Sequence, residues 1–151
     1  MDDRPSFAPY LVVSNAAAAI DFYKRAFGAA ELERRSAPGT DKIMHAHLAV
    51  HGGHMFLADD FAGQMGRKSE TPEALGGTPV TFHLHVENAD ATWDQAVASG
   101  AEITMPLADQ FWGDRYGQLR DPFGHKWSIG QTKSAPTQDE MEKGAREVFA
   151  S

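Results

Sequence analysis

Apolar positions along the chain follow one pattern twice. Leu11-Val12-Val13 is a short apolar run, and behind it Ala16, Ile20, Tyr23 and Phe27 recur at the spacing of one helical face. Leu84-His85-Val86 leads in the same way into Ala89, Trp93, Ala96 and Val97. Asn15 and Asn88 stand immediately ahead of the two helical patterns, where a side-chain oxygen can accept a bond from the first unpaired N–H groups. Gly28 and Gly100 close the patterns, at the position that favours a left-handed residue. Three strand-like runs then follow each helix. In the first half they are 31–36, 43–51 and 54–59, with Gly52-Gly53 as a two-residue hairpin turn. In the second they are 102–107, 116–121 and 125–130, with Asp121-Pro122-Phe123-Gly124 as the turn.

The letters repeat as well as the pattern. Leu11-Val12-Val13-Ser14-Asn15-Ala16 returns 73 residues later as Leu84-His85-Val86-Glu87-Asn88-Ala89, and Asp21 returns as Asp94. The expected fold class is α+β, with the order βαβββ used twice. A single domain over 1–135 is expected, made of module 5–60 and module 79–131 joined by a long loop, 61–78. That loop reads either as a solvated linker or as a flap over a site. The tail 136–151 is expected to be a helix. Thr137 and Glu140 form a capping box, and Met141, Ala145 and Val148 form a stripe to pack on the body or on a partner.

Composition narrows the function classes. The chain of 151 residues has no cysteine, which excludes disulfides and thiolate chemistry. A net charge of −7 argues against nucleic acid as a partner. No leader pattern and no long apolar run is present, so no membrane partner and a cytoplasmic location are expected. Nucleophile-elbow, phosphate-loop and H-E-x-x-H patterns are missing.

Tyr10-Leu11-Val12-Val13, then Ala19-Ile20-Asp21-Phe22-Tyr23 with Phe27-Gly28, resembles the first module of the glyoxalase/bleomycin resistance/dioxygenase (vicinal oxygen chelate) superfamily. Gln110-Phe111-Trp112-Gly113-Asp114-Arg115-Tyr116-Gly117 and Arg120-Asp121-Pro122-Phe123-Gly124-His125 resemble its second module, most closely that of the PhnB-like subgroup. The resemblance covers residues 5–131. It implies two modules curved into a half-open barrel around a concave cavity, often within a homodimer. It also implies metal ligands on the first and last strand of each module. Those positions fall on Ala8, Phe56, Thr81 and Ser128, of which the first two cannot ligate a metal and the others are poor ligands.

Histidines offer an alternative. His45 and His47 share one strand face, as do His83 and His85. Met44, Leu48 and Val50 are assigned to the helix-packed face, so the four histidines are expected to face one another across the concavity. A turn at Gly52-Gly53 pairs His47 with Ala58 and His45 with Asp60, so a relocated metal site at His45, His47 and Asp60 is one reading. Hydrogen-bonding histidines in a polar cavity are the other. Trp112, Arg115, Tyr116 and Arg120 either join them around a ligand or form a structural cluster, with Arg115 paired to Asp109 or Asp114. Trp93 and Trp127 belong to the core by phase. The expected function is small-molecule binding with no cofactor. The alternative is a metal-dependent lyase, isomerase or dioxygenase on the relocated site, and a histidine general base without metal is a third reading.

Overall fold

In the computed structural model, which describes residues 4–150, Asn15 and Asn88 cap equivalent helices, each accepting a bond from the N–H three residues on. Helix α1 is Ala16–Phe27 and α3 is Ala89–Ala98. Gly28 and Gly100 take positive φ at their ends, as expected of the only residue without a Cβ penalty there. Strands β1 (Tyr10–Val13), β2 (Ala30–Ser36), β3 (Ile43–Val50) and β4 (Gly53–Asp59) form one sheet in the order β1-β4-β3-β2. Strands β5 (Thr81–His85), β6 (Glu102–Asp109), β7 (Asp114–Arg120) and β8 (Lys126–Thr132) form the other, in the matching order β5-β8-β7-β6. The duplication extends to register. Tyr10 pairs Phe56 and His47 pairs Phe56, just as His83 pairs Ser128 and Gln118 pairs Ser128.

Each sheet buries one face under its helix. The core joins Leu11, Ile20, Leu48 and Leu57 to Leu84, Leu119 and Ile129, with Trp93 and Trp127 inside it. Within that joint one carboxylate ties the modules together. Buried Asp121 accepts from Tyr23 Oη at 2.6 Å, Trp127 Nε1 at 2.9 Å, and the amides of Phe123 and His125 at 2.9 and 3.0 Å. Burial and the Asp121 carboxylate push the Tyr23 phenol well above its ordinary range. His125 Nε2 donates to Val12 O at 2.9 Å, taking a carbonyl on edge strand β1.

Three expectations change. The hairpin turn is His51-Gly52, not Gly52-Gly53, because His51 itself takes φ 47° and Gly52 φ 81°, the two positive values a type I′ turn requires. Val50 therefore pairs Gly53 and His47 pairs Phe56 rather than Ala58. A shift of two residues keeps every side chain on its face but changes every neighbour. Second, the β2–β3 ladder slips between Arg35–His45 and Ser36–Ile43, leaving Met44 as the extra residue of a bulge. Ile43 turns into the core and Met44 is left exposed, off the helix-packed face. Third, the tail helix α4 (Gln138–Phe149) has the Thr137–Glu140 capping box, but its buried residue is Gly144, and Val148 is exposed. A Cβ on Gly144 would lie 2.4 Å from Phe111 Cβ.

The 61–78 connection holds a 3-10 turn, Gly63–Met65, and a short helix, α2 (Pro72–Leu75). Pro72 packs against Gly124, and residues 61–70 wall a cavity of about 290 Å3 opposite Tyr10 and Met44. Among the described residues no helix is long and apolar enough to cross a membrane.

Candidate functional site

Strand alternation leaves one face of each sheet uncovered by its helix, and histidines and aromatic rings collect there. On the first sheet His45 and His47 flank the Phe56 ring at 5.1 and 4.9 Å between centroids, and Tyr10 lies 5.7 Å away on the adjoining strand. Tyr10 Oη is hydrogen-bonded to His45 Nδ1 at 2.8 Å and lies within donating distance of Met44 O at 3.3 Å. His47 Nε2 and His54 Nδ1 lie 2.8 Å apart, so one must donate and the other accept. Burial, with the neighbouring His54 and His45, holds the His47 imidazole below its ordinary value.

On the second sheet His83 stacks on Tyr116 with centroids 5.9 Å apart, and Trp112 meets the Tyr116 edge at 5.5 Å. His83 Nδ1 bonds Ser128 Oγ at 2.8 Å, and His85 Nε2 bonds Thr132 Oγ1 at 2.9 Å. Gly130 makes room for this arrangement, since a Cβ there would lie 2.9 Å from His83 Cε1. Burial and the neighbouring His85 lower the His83 value.

Arg115 is elsewhere. It is next to Tyr116 on β7 and so points to the opposite face, where it grips Asp90 of α3 with two bonds of 3.0 Å and reaches Asp109 at 3.3 Å. Arg120 does share the Tyr116 face, but at the far end of the strand, opposite Lys126. The four histidines do not form one cluster. His47 is influenced by His54, His45 and Glu33, whereas His83 is influenced by His85 and Asp114. No hydrogen bond or ring contact joins the two sets among the described residues. Asp60 does not meet His45 either; its carboxylate is taken by the Ala62 amide at 2.9 Å and by Ser69. Sequence reasoning missed Tyr10 and His54. A His-Gly pair read as the hairpin turn would have placed His54 beside His47.

The residues present do not fit a metal at the family's positions. Phe56 puts a hydrocarbon ring between His45 and His47, and Ser128 is buried beneath His83. No three His, Asp or Glu side chains converge among the described residues.

Between the modules a cleft of about 430 Å3 runs from Val50, His54 and Met55 to Phe82, His83 and Trp127. It has the size and the mostly apolar lining of a small-molecule site.

Lowered histidine values carry a pH signature. The folded protein takes up fewer protons at His47 and His83 than the unfolded chain does once pH falls below about 6.5. Their contribution to stability is complete above that pH and is lost as pH falls through the folded values. The melting temperature is expected to fall between pH 7 and 5, and to fall less when His47→Gln and His83→Gln are combined. Parallel melts of the two proteins check this, and equal slopes would remove these histidines as its origin.

Residues 6–129 match the Glyoxalase/Bleomycin resistance protein/Dioxygenase superfamily. The chain is 50% identical over 140 residues to an uncharacterized protein of Mycobacterium bovis, Mb0911c, covering 92% of this chain and 91% of that protein. It superimposes on TioX from Micromonospora sp. ML1 with a TM-score of 0.63 at 28% identity, over 88% of this chain and 100% of that one. The PhnB protein from Bacillus cereus shares the fold at a TM-score of 0.65 and 17% identity, over 85% of this chain and 100% of that one.

Proposed function

The chain belongs to the glyoxalase/bleomycin resistance protein/dioxygenase superfamily, and from that premise we propose that it binds a small, partly aromatic molecule without a metal. The observation that carries this reading is the Phe56 ring seated between His45 and His47. It replaces a ligating side chain with a surface for apolar or flat groups, while the histidines keep their hydrogen-bonding edges. His54 and His83 stand at opposite walls of the inter-module cleft, which supplies further apolar surface. We also propose a homodimer, since Phe7 is 91% exposed at that cleft, Tyr10 is 52% exposed, and the sheet edges are short of partners.

The test is a metabolite screen by thermal shift, with hits titrated calorimetrically with and without chelator and light scattering run on the same sample. Binding is expected to survive chelation and to weaken about thirtyfold when His47→Ala and His83→Ala are combined, each removing a hydrogen bond of about 1 kcal/mol. Binding abolished by chelator and restored by zinc, iron or manganese would overturn the metal-free reading. A monomer mass across micromolar concentrations would overturn the dimer.

A further inference from the structure

Cations are outnumbered in this chain, which carries a net charge of −7, yet two of them stand side by side at one end of the second sheet. Arg120 and Lys126 are direct cross-strand partners, and Lys126 is also the partner of Thr81. Like charges placed opposite one another are unfavourable unless something neutralises them. Arg120 has only a loose pair with Glu102 at 3.5 Å, with both side chains about half exposed or more. Lys126 is half-buried and makes no ion pair or side-chain hydrogen bond among the described residues. Both line a cavity of about 430 Å3 whose opposite wall is the Gly76-Gly77-Thr78 loop behind α2.

That wall suits a small polar guest. Gly76 and Gly77 have φ of 81° and 144°, and a Cβ on either would meet nothing within 4 Å, so the wall stands back and leaves room. Thr78 Oγ1 accepts from the Val80 amide at 3.3 Å, which leaves its hydroxyl hydrogen to donate into the space. A guanidinium fork, an ammonium and a hydroxyl around one space are the donor set that recognises an oxyanion. We propose that Arg120, Lys126 and Thr78 form an oxyanion-binding subsite, for a phosphate or carboxylate group. It stands on its own residues and does not depend on a ligand between the histidine faces. Glu73, on the rim of the same cavity, opposes an anion and limits its affinity.

The test is titration of the full chain with inorganic phosphate and with acetate at constant ionic strength, followed by amide shifts of Gly76, Gly77 and Lys126. At least one anion is expected to saturate these shifts in the millimolar range. Lys126→Gln and Arg120→Gln should each weaken that binding about tenfold, the loss of one charge-assisted bond. Glu73→Gln should tighten it severalfold, a gain that damage to the fold would not produce. Preference for phosphate over acetate identifies a phosphoryl group as the natural guest, and the reverse preference a carboxylate. Shifts that fail to saturate with either anion, or that saturate equally in all three variants, would overturn the proposal.

Discussion

Asp121→Ala is expected to cost about 3–5 kcal/mol, the upper range of single substitutions, reached when a buried hydrogen-bond network is broken. The carboxylate is buried and accepts four bonds of 2.6–3.0 Å, from the Tyr23 hydroxyl, the Trp127 indole and two turn amides. Deleting it leaves those donors unsatisfied in a site water does not reach, and each unmet donor costs about 1–3 kcal/mol before relaxation. At this chain length the loss corresponds to about 10–15 °C in melting temperature. Asp121→Asn should be intermediate, because its amide can accept at one atom but sets a donor against Trp127 or Tyr23. Tyr23→Phe removes one donor and keeps the carboxylate, so it should cost about 1–2 kcal/mol. Tyr23 belongs to the first module and Trp127 to the second, so Asp121→Ala should also broaden or split the unfolding transition. Urea unfolding followed by tryptophan fluorescence and by circular dichroism measures both effects. A loss under about 1 kcal/mol would mean the modules are held by their apolar contacts alone.

Phe56→Glu is expected to create a divalent-metal site. The Phe56 ring lies within 5.1 Å of His45 and 4.9 Å of His47, all on one sheet face. A carboxylate in its place would complete two histidines and one acid, a donor set suited to iron, manganese or zinc. His47 would have to give up its bond to His54, and the half-buried ring would no longer pack on Tyr10. The metal-free variant should therefore lose about 1–3 kcal/mol. Micromolar metal affinity is expected, and metal at about one hundred times the dissociation constant would return about 2.7 kcal/mol by mass action. Calorimetry with zinc and manganese, and melts with and without metal, check the prediction. A folded variant that binds no metal would show that His45, His47 and position 56 do not converge. Equal binding by the wild-type chain would overturn the metal-free reading instead.

These two substitutions also separate what is local in this protein from what is not. The helices were legible because each carries its own signals: Asn15 and Asn88 at the caps, glycines at the ends, and apolar positions at helical spacing. Strand faces were legible because side chains alternate, so His45 with His47, and His83 with His85, fell on the right sides. The duplication was visible in the letters, and the register of the two sheets repeats it.

Which residues meet was decided by tertiary structure. A turn moved by one residue, made affordable by His51 in a left-handed conformation, replaced Ala58 by Phe56 opposite His47. A bulge at Met44 reversed the phase of the end of β3, and no periodicity announces a bulge. The two histidine pairs are far apart in sequence, and the expectation that they face one another rests on a packing of the modules that no local pattern encodes. No hydrogen bond or ring contact joins them among the described residues. Alternation along one strand is a property of the backbone and can be read from the chain. Distance between two sheets is set by how their helices and turns pack, and that packing depends on all of the residues at the joint at once.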